Sequence, residues 1–171
     1  PFSTSIISLS GMSEEARDIR RLQEAIETRD IEAFHESVET LHYADLAEVY
    51  EDLKIADRDF FTDTIDNEIF AEVLVDLSDS LVQGAMDRLD AESQREILDQ
   101  VSDDDRVDIL QGVSNEMRER LLGLVEPEDI EVTRSLMKFG EQTAGGRMTT
   151  HFGSIRAEMT VKEALKHLRQ S

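Results

Sequence analysis

Apolar residues recur along the middle of the chain with a period of twelve. Stepping by twelve from Leu53 meets an apolar residue every time, and another apolar residue stands four positions before each. The first set is Leu53, Ile65, Leu77, Leu89, Val101, Val113 and Val125; the second is Val49, Phe61, Val73, Ala85, Ile97, Ile109 and Leu121. Residues four apart lie on one face of a helix. The pattern therefore predicts a series of short helices, one for every twelve residues.

Polar residues that favour helix starts follow these apolar positions. They are the pairs DN at 66, SD at 78, DA at 90, SD at 102, SN at 114 and EP at 126. Short polar side chains satisfy the free N–H groups of a first turn, and Pro127 suits its first position. Helices of about eight residues are marginal alone, so their stability must come from stacking. We expect an all-α fold, a right-handed superhelical array of short antiparallel helices with no strand between 45 and 125.

The two ends of the array follow different patterns. Upstream, SEEARDIRRLQEAIETRD and IEAFHESVETL predict longer capping helices, and downstream PEDIEVTRSLMKF predicts a helix through Phe139. Beyond it, the glycines at 145 and 146 break the helix, HFGSI at 151–155 is typical of an extended segment, and Thr160 caps a helix in VKEALKHL. We predict a superhelical domain over 13–139 and a junction with the start of a second fold over 140–171. Residues 1–12 show no helical pattern, and we interpret them as a fragment end.

The charge is concentrated in the array. The whole chain carries a formal charge of −21, and residues 41–130 hold 26 acids against 7 bases, whereas 131–171 hold 4 acids against 7 bases. This charge argues against nucleic acid and anionic membrane surfaces as partners, and favours cations or basic proteins. The chain has no cysteine and no apolar run of transmembrane length, and its start lacks the features of a signal peptide.

Enzyme chemistry finds little support in the sequence. The four histidines, at 35, 42, 151 and 167, are scattered and form no H-x-x-x-H pair. Gly145 and Gly146 lack the spacing of a phosphate-binding loop. Three methionines on apolar helical faces are explained as core residues; they are Met86, Met117 and Met137. We predict that the chain is not an enzyme.

The segment VSDDDRVDIL at 101–110 allows two interpretations. In the first, Ser102 is an N-cap and the carboxylates of the first turn face the positive end of the helix dipole. In the second, Asp104 and Asp108 are neighbours on one face, where like charges are destabilising unless a cation lies between them. Magnesium keeps several waters and accepts one or two carboxylates per site, which suits exposed paired acids. Both interpretations can hold together.

Four segments of the chain have a recognisable pattern: LHYADLAEVYEDL at 41–53, AEVLVDL at 71–77, EQTAGGRMTT at 141–150 and MTVKEALKHLR at 159–169. Together they resemble the cytosolic part of MgtE-type magnesium transporters. The sequence departs from the family pattern at Tyr43, where proline is usual, and at FGE over 139–141. The resemblance implies an acidic superhelical N domain followed by a pair of CBS domains (α/β), a connecting helix and a dimeric transmembrane pore. It implies a location on the cytoplasmic face of the bacterial membrane, with residues 140–171 as a truncated start of the first CBS domain.

The same resemblance assigns a function and candidate ligands. In that family, magnesium bridges acids of the N domain and of the CBS domains and closes the gate; without magnesium, repulsion separates the domains. The matching positions are Glu72, Asp104 and Asp108, with Asp103 and Asp105 contributing mainly to the field. Their CBS partners would lie beyond Ser171. The alternative is a soluble helical-repeat adaptor that binds a basic protein partner.

Overall fold

All regular elements are helices in the part of the chain that the structure, a computed structural model, describes: residues 13–139, 143, 155–156 and 159–168. The elements are α1 (Glu14–Thr28), α2 (Ile31–Val38), α3 (Tyr43–Asp52), α4 (Ile55–Thr64), α5 (Asn67–Val75), α6 (Asp79–Met86), α7 (Ala91–Gln100), α8 (Asp103–Gly112), α9 (Asn115–Leu122), α10 (Pro127–Leu136) and α11 (Val161–Leu168). Among them, none is both long and apolar enough to cross a membrane.

The twelve-residue period of the sequence is confirmed by the helix boundaries. Helices α3 to α10 begin at residues 43, 55, 67, 79, 91, 103, 115 and 127, twelve residues apart. Each predicted anchor lies one to three residues after the end of its helix, and all fourteen periodic residues are buried or pack partly buried against the core. The helices are eight to ten residues long, as predicted. Ser102 and Ser114 accept hydrogen bonds from the first turns of α8 and α9, as expected of N-caps.

Turns of two to four residues join the helices from α1 to α10, and alternate helices pack together. Helices α3, α5 and α7 follow one another in one row, and α6, α8 and α10 follow one another in a second. Helix α8 also touches α5, so the acid-rich helix lies where the rows meet. The apolar face of each short helix is therefore covered by its neighbours, which compensates for its weak intrinsic stability.

The few aromatic residues are concentrated at the amino-terminal end of the core. Phe34, Tyr50, Phe61 and Phe70 are all fully buried, and the ring of Phe61 lies 5.2 Å from those of both Phe34 and Tyr50. The buried Tyr50 hydroxyl meets the Thr62 hydroxyl at 3.3 Å, which satisfies the one polar atom of this ring. From α6 onward, the apolar part of the core consists of aliphatic and methionine side chains, including Met86 and Met117 as predicted.

Several helices carry a polar side chain that hydrogen-bonds to the end of the preceding helix, and the sequence analysis did not predict this contact. The side chains of Arg58, Gln94, Arg106 and Arg118 each donate to the carbonyl oxygen eight residues earlier. These carbonyls lie at helix ends and have no donor within their own helix. All four side chains occupy the fourth position of a helix, and their spacing is a multiple of twelve. A recurring long polar residue on an otherwise buried face was the signal that could have revealed it.

Two predicted helix lengths were wrong, and one prediction lies partly outside the described residues. Helix α2 ends at Val38 after eight residues: the Thr40 backbone N–H and hydroxyl both donate to the Ser37 carbonyl, and His42 caps the next helix. Helix α10 ends at Leu136, three residues early. Helix α11 starts after Thr160 as predicted, with Glu163 completing the cap. Of the predicted extended segment, residues 151–154 lie outside the described part.

Candidate cation-binding site

The first turn of α8 is built around Ser102. Its hydroxyl oxygen accepts the backbone N–H of Asp105 at 3.4 Å, and the same hydroxyl lies 2.7 Å from Asp104 Oδ1 and 2.6 Å from Asp105 Oδ2. A hydroxyl has one proton, so it donates to one of these carboxylates at a time. The capping interpretation of this segment is confirmed, and it leaves Asp104 and Asp105 with most of their oxygen lone pairs available.

The three predicted ligands lie on two helices. Asp104 and Asp108 stand four residues apart on α8 and are half-buried, whereas Glu72 is exposed on α5. Asp108 lines a small cleft of about 120 Å³ together with Asp105 and Asp79, and the part of α5 that lines this cleft is Leu74 and Val75. The structure therefore brings Asp108 together with Asp79 rather than with Glu72.

Asp79 is a residue of this cleft that the sequence analysis missed. It begins α6, and α6 packs against α8. A methyl group added at Gly112 would lie 3.0 Å from Asp79 Oδ1, so the absence of a side chain at Gly112 allows the close approach of these two helices. Asp79 lies two repeats before Asp103. Because alternate helices pack together, this spacing could have indicated that the starts of α6 and α8 are close.

Asp103 does not have the role predicted for it. Its side chain is fully buried, so it is not part of the surface field, and its Oδ1 lies 3.4 Å from Nη1 of Arg106, whose side chain is 4% exposed. The Arg106 Nε also donates to the Leu98 carbonyl at 2.7 Å. A buried carboxylate needs such a partner, because desolvation of a lone charge is costly. Asp103 and Arg106 are thus part of the core beneath the acidic surface.

A second group of charges joins α7 to the start of α10. Arg95 lies 3.3 Å from Glu126 and 3.7 Å from Asp99, and Arg106 Nη2 lies 3.7 Å from Asp129 Oδ2. Burial raises the pKa of the Asp99 carboxyl, and the negative charge of Glu126 raises it further, against the opposing effect of Arg95 and Arg106. The acids here outnumber the two guanidiniums, so this side of the array keeps a negative potential.

The described residues do not by themselves enclose a metal ion. Within them, no group of three histidine, aspartate or glutamate side chains is arranged to hold one. Carboxylate oxygens are the ligand type that magnesium prefers, so the donor chemistry of Glu72, Asp104 and Asp108 fits this ion. Their assignment as ligands stays a prediction. Of the histidines, His42 accepts the Ala44 N–H as a helix cap, and His151 lies outside the described residues.

Fold and charge define this chain as an acidic helical-repeat domain. Residues 41–142 match the family described as the MgtE intracellular N domain. Since the match covers more than half of the sequence, the chain belongs to this family. The predicted family and intracellular location are confirmed, and so is the prediction that the chain is not an enzyme.

Individual relatives support the same family. The chain is 34% identical over 153 residues to the magnesium transporter MgtE of Thermus thermophilus, covering 88% of this chain and 34% of that protein. It is similar to the cytosolic domain of the Mg²⁺ channel MgtE solved in complex with ATP, with a TM-score of 0.79 and 34% identity over 89% of this chain and 62% of that one. The soluble part of a magnesium transporter shares the fold, with a TM-score of 0.78 and 23% identity over 92% of this chain and 62% of that one. The chain thus spans about a third of the curated transporter's length.

Proposed function

We propose that this chain is the magnesium-sensing regulatory region of an MgtE-type magnesium transporter. Membership in the MgtE intracellular N domain family carries the proposal, together with the surplus of carboxylates on α8 and its neighbours. In this mechanism, the acidic surface of the array faces acids of the downstream CBS domains. Repulsion holds the two surfaces apart at low magnesium, and bound ions allow them to approach and close the gate.

The proposed N-domain ligands are Glu72, Asp104 and Asp108. Asp104 and Asp108 lie on the solvent side of α8, while Asp103 and Arg106 on the opposite side hold the helix to the core. Magnesium bound here would keep several waters and take one or two carboxylates from this chain, with the remaining ligands supplied by the CBS domains. Isolated from that second surface, the site should bind magnesium weakly. The full-length protein would be a homodimer that contains the transmembrane pore.

Residues 140–171 are proposed as the junction and the start of the first CBS domain. Helix α11 supports this proposal, because Thr160 and Glu163 cap it reciprocally and its apolar residues Val161 and Leu165 are 77% and 52% exposed. An amphipathic helix with an uncovered apolar face is the expected state of an element whose packing partner lies elsewhere.

Magnesium should stabilise the chain through Asp104 and Asp108. An ion that binds the folded state adds about 1.4 kcal/mol to the free energy of unfolding at a concentration roughly ten times Kd. Thermal unfolding with and without magnesium measures this increment. The variant Asp104→Asn/Asp108→Asn should be at least as stable as the parent without magnesium, because it removes a like-charge pair, and it should lose most of the increment. Glu116→Gln/Glu119→Gln removes two exposed acids from α9 and should retain it; equal losses in both variants would indicate a diffuse charge effect.

Magnesium-dependent uptake or current in the full-length transporter tests the function directly. The same Asp104→Asn/Asp108→Asn change should shift closure of the gate to higher magnesium, because two of the bridging carboxylates lose their charge. Selectivity of the pore should be unchanged, since the pore is a separate domain in the proposed architecture. Inhibition curves identical to those of the parent, in a variant that folds normally, would eliminate α8 as the sensing element.

A further inference from the structure

Arg106 occupies an unusual place relative to the acidic surface. It lies in α8 between the two proposed ligands, Asp104 and Asp108, but its side chain is 4% exposed and points into the core. Arg118, one repeat later, makes the same contact to a carbonyl eight residues earlier, and its other hydrogen bonds go to Gln111, Val113 and Asn115 in the adjoining turn. Arg106 reaches farther, to Asp129 of α10.

Helix α10 is held at its start by two arginines from other helices. Arg106 of α8 pairs with Asp129 at 3.7 Å, and Arg95 of α7 pairs with Glu126, the residue before α10, at 3.3 Å. Helices α8 and α10 also pack directly. Because α10 is the last helix of the array, its docking sets the position of the array's carboxyl-terminal end.

We infer that Arg106 is a positioning residue that couples the charge state of the outer face of α8 to the docking of α10. The inference rests on the proposed function, in which a cation binds Asp104 and Asp108. The Asp104 and Asp108 carboxylates lie on the opposite side of α8, and their attraction for the Arg106 guanidinium acts across the helix, against the pull of Asp129. A divalent cation on that face cancels this attraction, so the guanidinium pairs more strongly with Asp129 and α10 is held more firmly.

Hydrogen exchange of backbone amides, read separately for α8 and α10, tests the coupling. Magnesium should slow exchange in both helices of the parent, with an effect on α10 of about two- to fivefold, the range of a partly exposed ion pair. Asp129→Asn should abolish the effect on α10 and keep the effect on α8. Glu128→Gln is the matched control, because it removes the same charge from an exposed neighbour in the same turn and should behave as the parent. An unchanged magnesium effect on α10 in Asp129→Asn would overturn the coupling.

A metal-free arm separates failure of the coupling from failure of cation binding. Asp104→Asn/Asp108→Asn removes the competing carboxylates without any ion, so it should slow α10 exchange by about two- to fivefold in the parent and Glu128→Gln backgrounds. In the Asp129→Asn background the effect should vanish. If magnesium leaves exchange in α8 of the parent unaffected, the proposed cation site is wrong. The metal-free comparison still shows whether α8 and α10 are coupled. Equal effects of the double change with and without Asp129 would overturn it.

Discussion

Replacing Ile97 with aspartate is expected to unfold the array. Ile97 is fully buried in α7, at the periodic position four residues before the anchor Val101. A carboxylate at this position has neither water nor a placed hydrogen-bonding partner, and burying it lowers the free energy of unfolding by more than about 4 kcal/mol. Because each repeat is stable only against its neighbours, the loss should spread beyond α7. Circular dichroism and chemical denaturation measure the loss of helix content and stability.

Two variants in the same helix serve as controls for Ile97→Asp. Ala91→Asp adds the same charge at the exposed first position of α7, where the helix dipole favours an acid, and should be nearly neutral. Ile97→Val removes one methylene group and should cost about 1 kcal/mol. A parent-like melting temperature for Ile97→Asp would show that the assigned phase of the apolar repeat is wrong.

The second large effect is expected on replacing Arg106 with methionine. Methionine keeps much of the aliphatic stem but deprives the fully buried Asp103 carboxylate of the Arg106 guanidinium and the Leu98 carbonyl of a donor. Removing one member of a buried pair costs about 3 to 5 kcal/mol, mostly through the charge left behind. Urea denaturation should show this loss as a lower midpoint with little change in slope, since the same surface is exposed on unfolding.

The internal repeat offers a matched control for Arg106→Met. Arg118 makes the equivalent carbonyl contact, but its neighbouring side chain is the neutral Asn115, so Arg118→Met should cost about 1 to 2 kcal/mol. The double change Asp103→Leu/Arg106→Met should recover most of the stability, because no buried charge remains. A double variant as unstable as Arg106→Met would mean that the carbonyl contact, rather than the ion pair, dominates.

Much of the local structure could be predicted from the sequence because each repeat has the same local requirements. Buried apolar residues four apart and a capping residue at the next turn define a short helix wherever they occur. The eight helices from α3 to α10 therefore begin at the expected twelve-residue interval. Predictions failed where the repeat ends: α2 is shorter than expected, and at its end the Thr40 backbone N–H and hydroxyl both donate to the Ser37 carbonyl, an interaction that apolar periodicity does not report.

At the candidate site, residue spacing determines some features and the packing of the helices determines others. Spacing within α8 determines that Asp104 and Asp108 share a face, because a helix places residues four apart side by side. Spacing also places Asp103 on the face of Val107 and Leu110, four and seven residues later, and within reach of Arg106 in the same helix. How deeply that face is buried, and the Asp103–Arg106 pair with it, depends on the helices packed against α8.

The sequence by itself determined the helical repeat, its phase, the apolar face of each helix and the acidic character of the surface, because these properties depend on residues close together in the chain. Only the tertiary structure decided that Asp79 joins Asp105 and Asp108 in one cleft and that Arg106 connects α8 to Asp129 of α10. Asp79 and Asp108 are 29 residues apart in sequence. Contacts of this kind arise from the stacking of alternate helices. The distance between two carboxylates then depends on the side-chain volumes at the helix interface, where glycine at position 112 leaves room for Asp79.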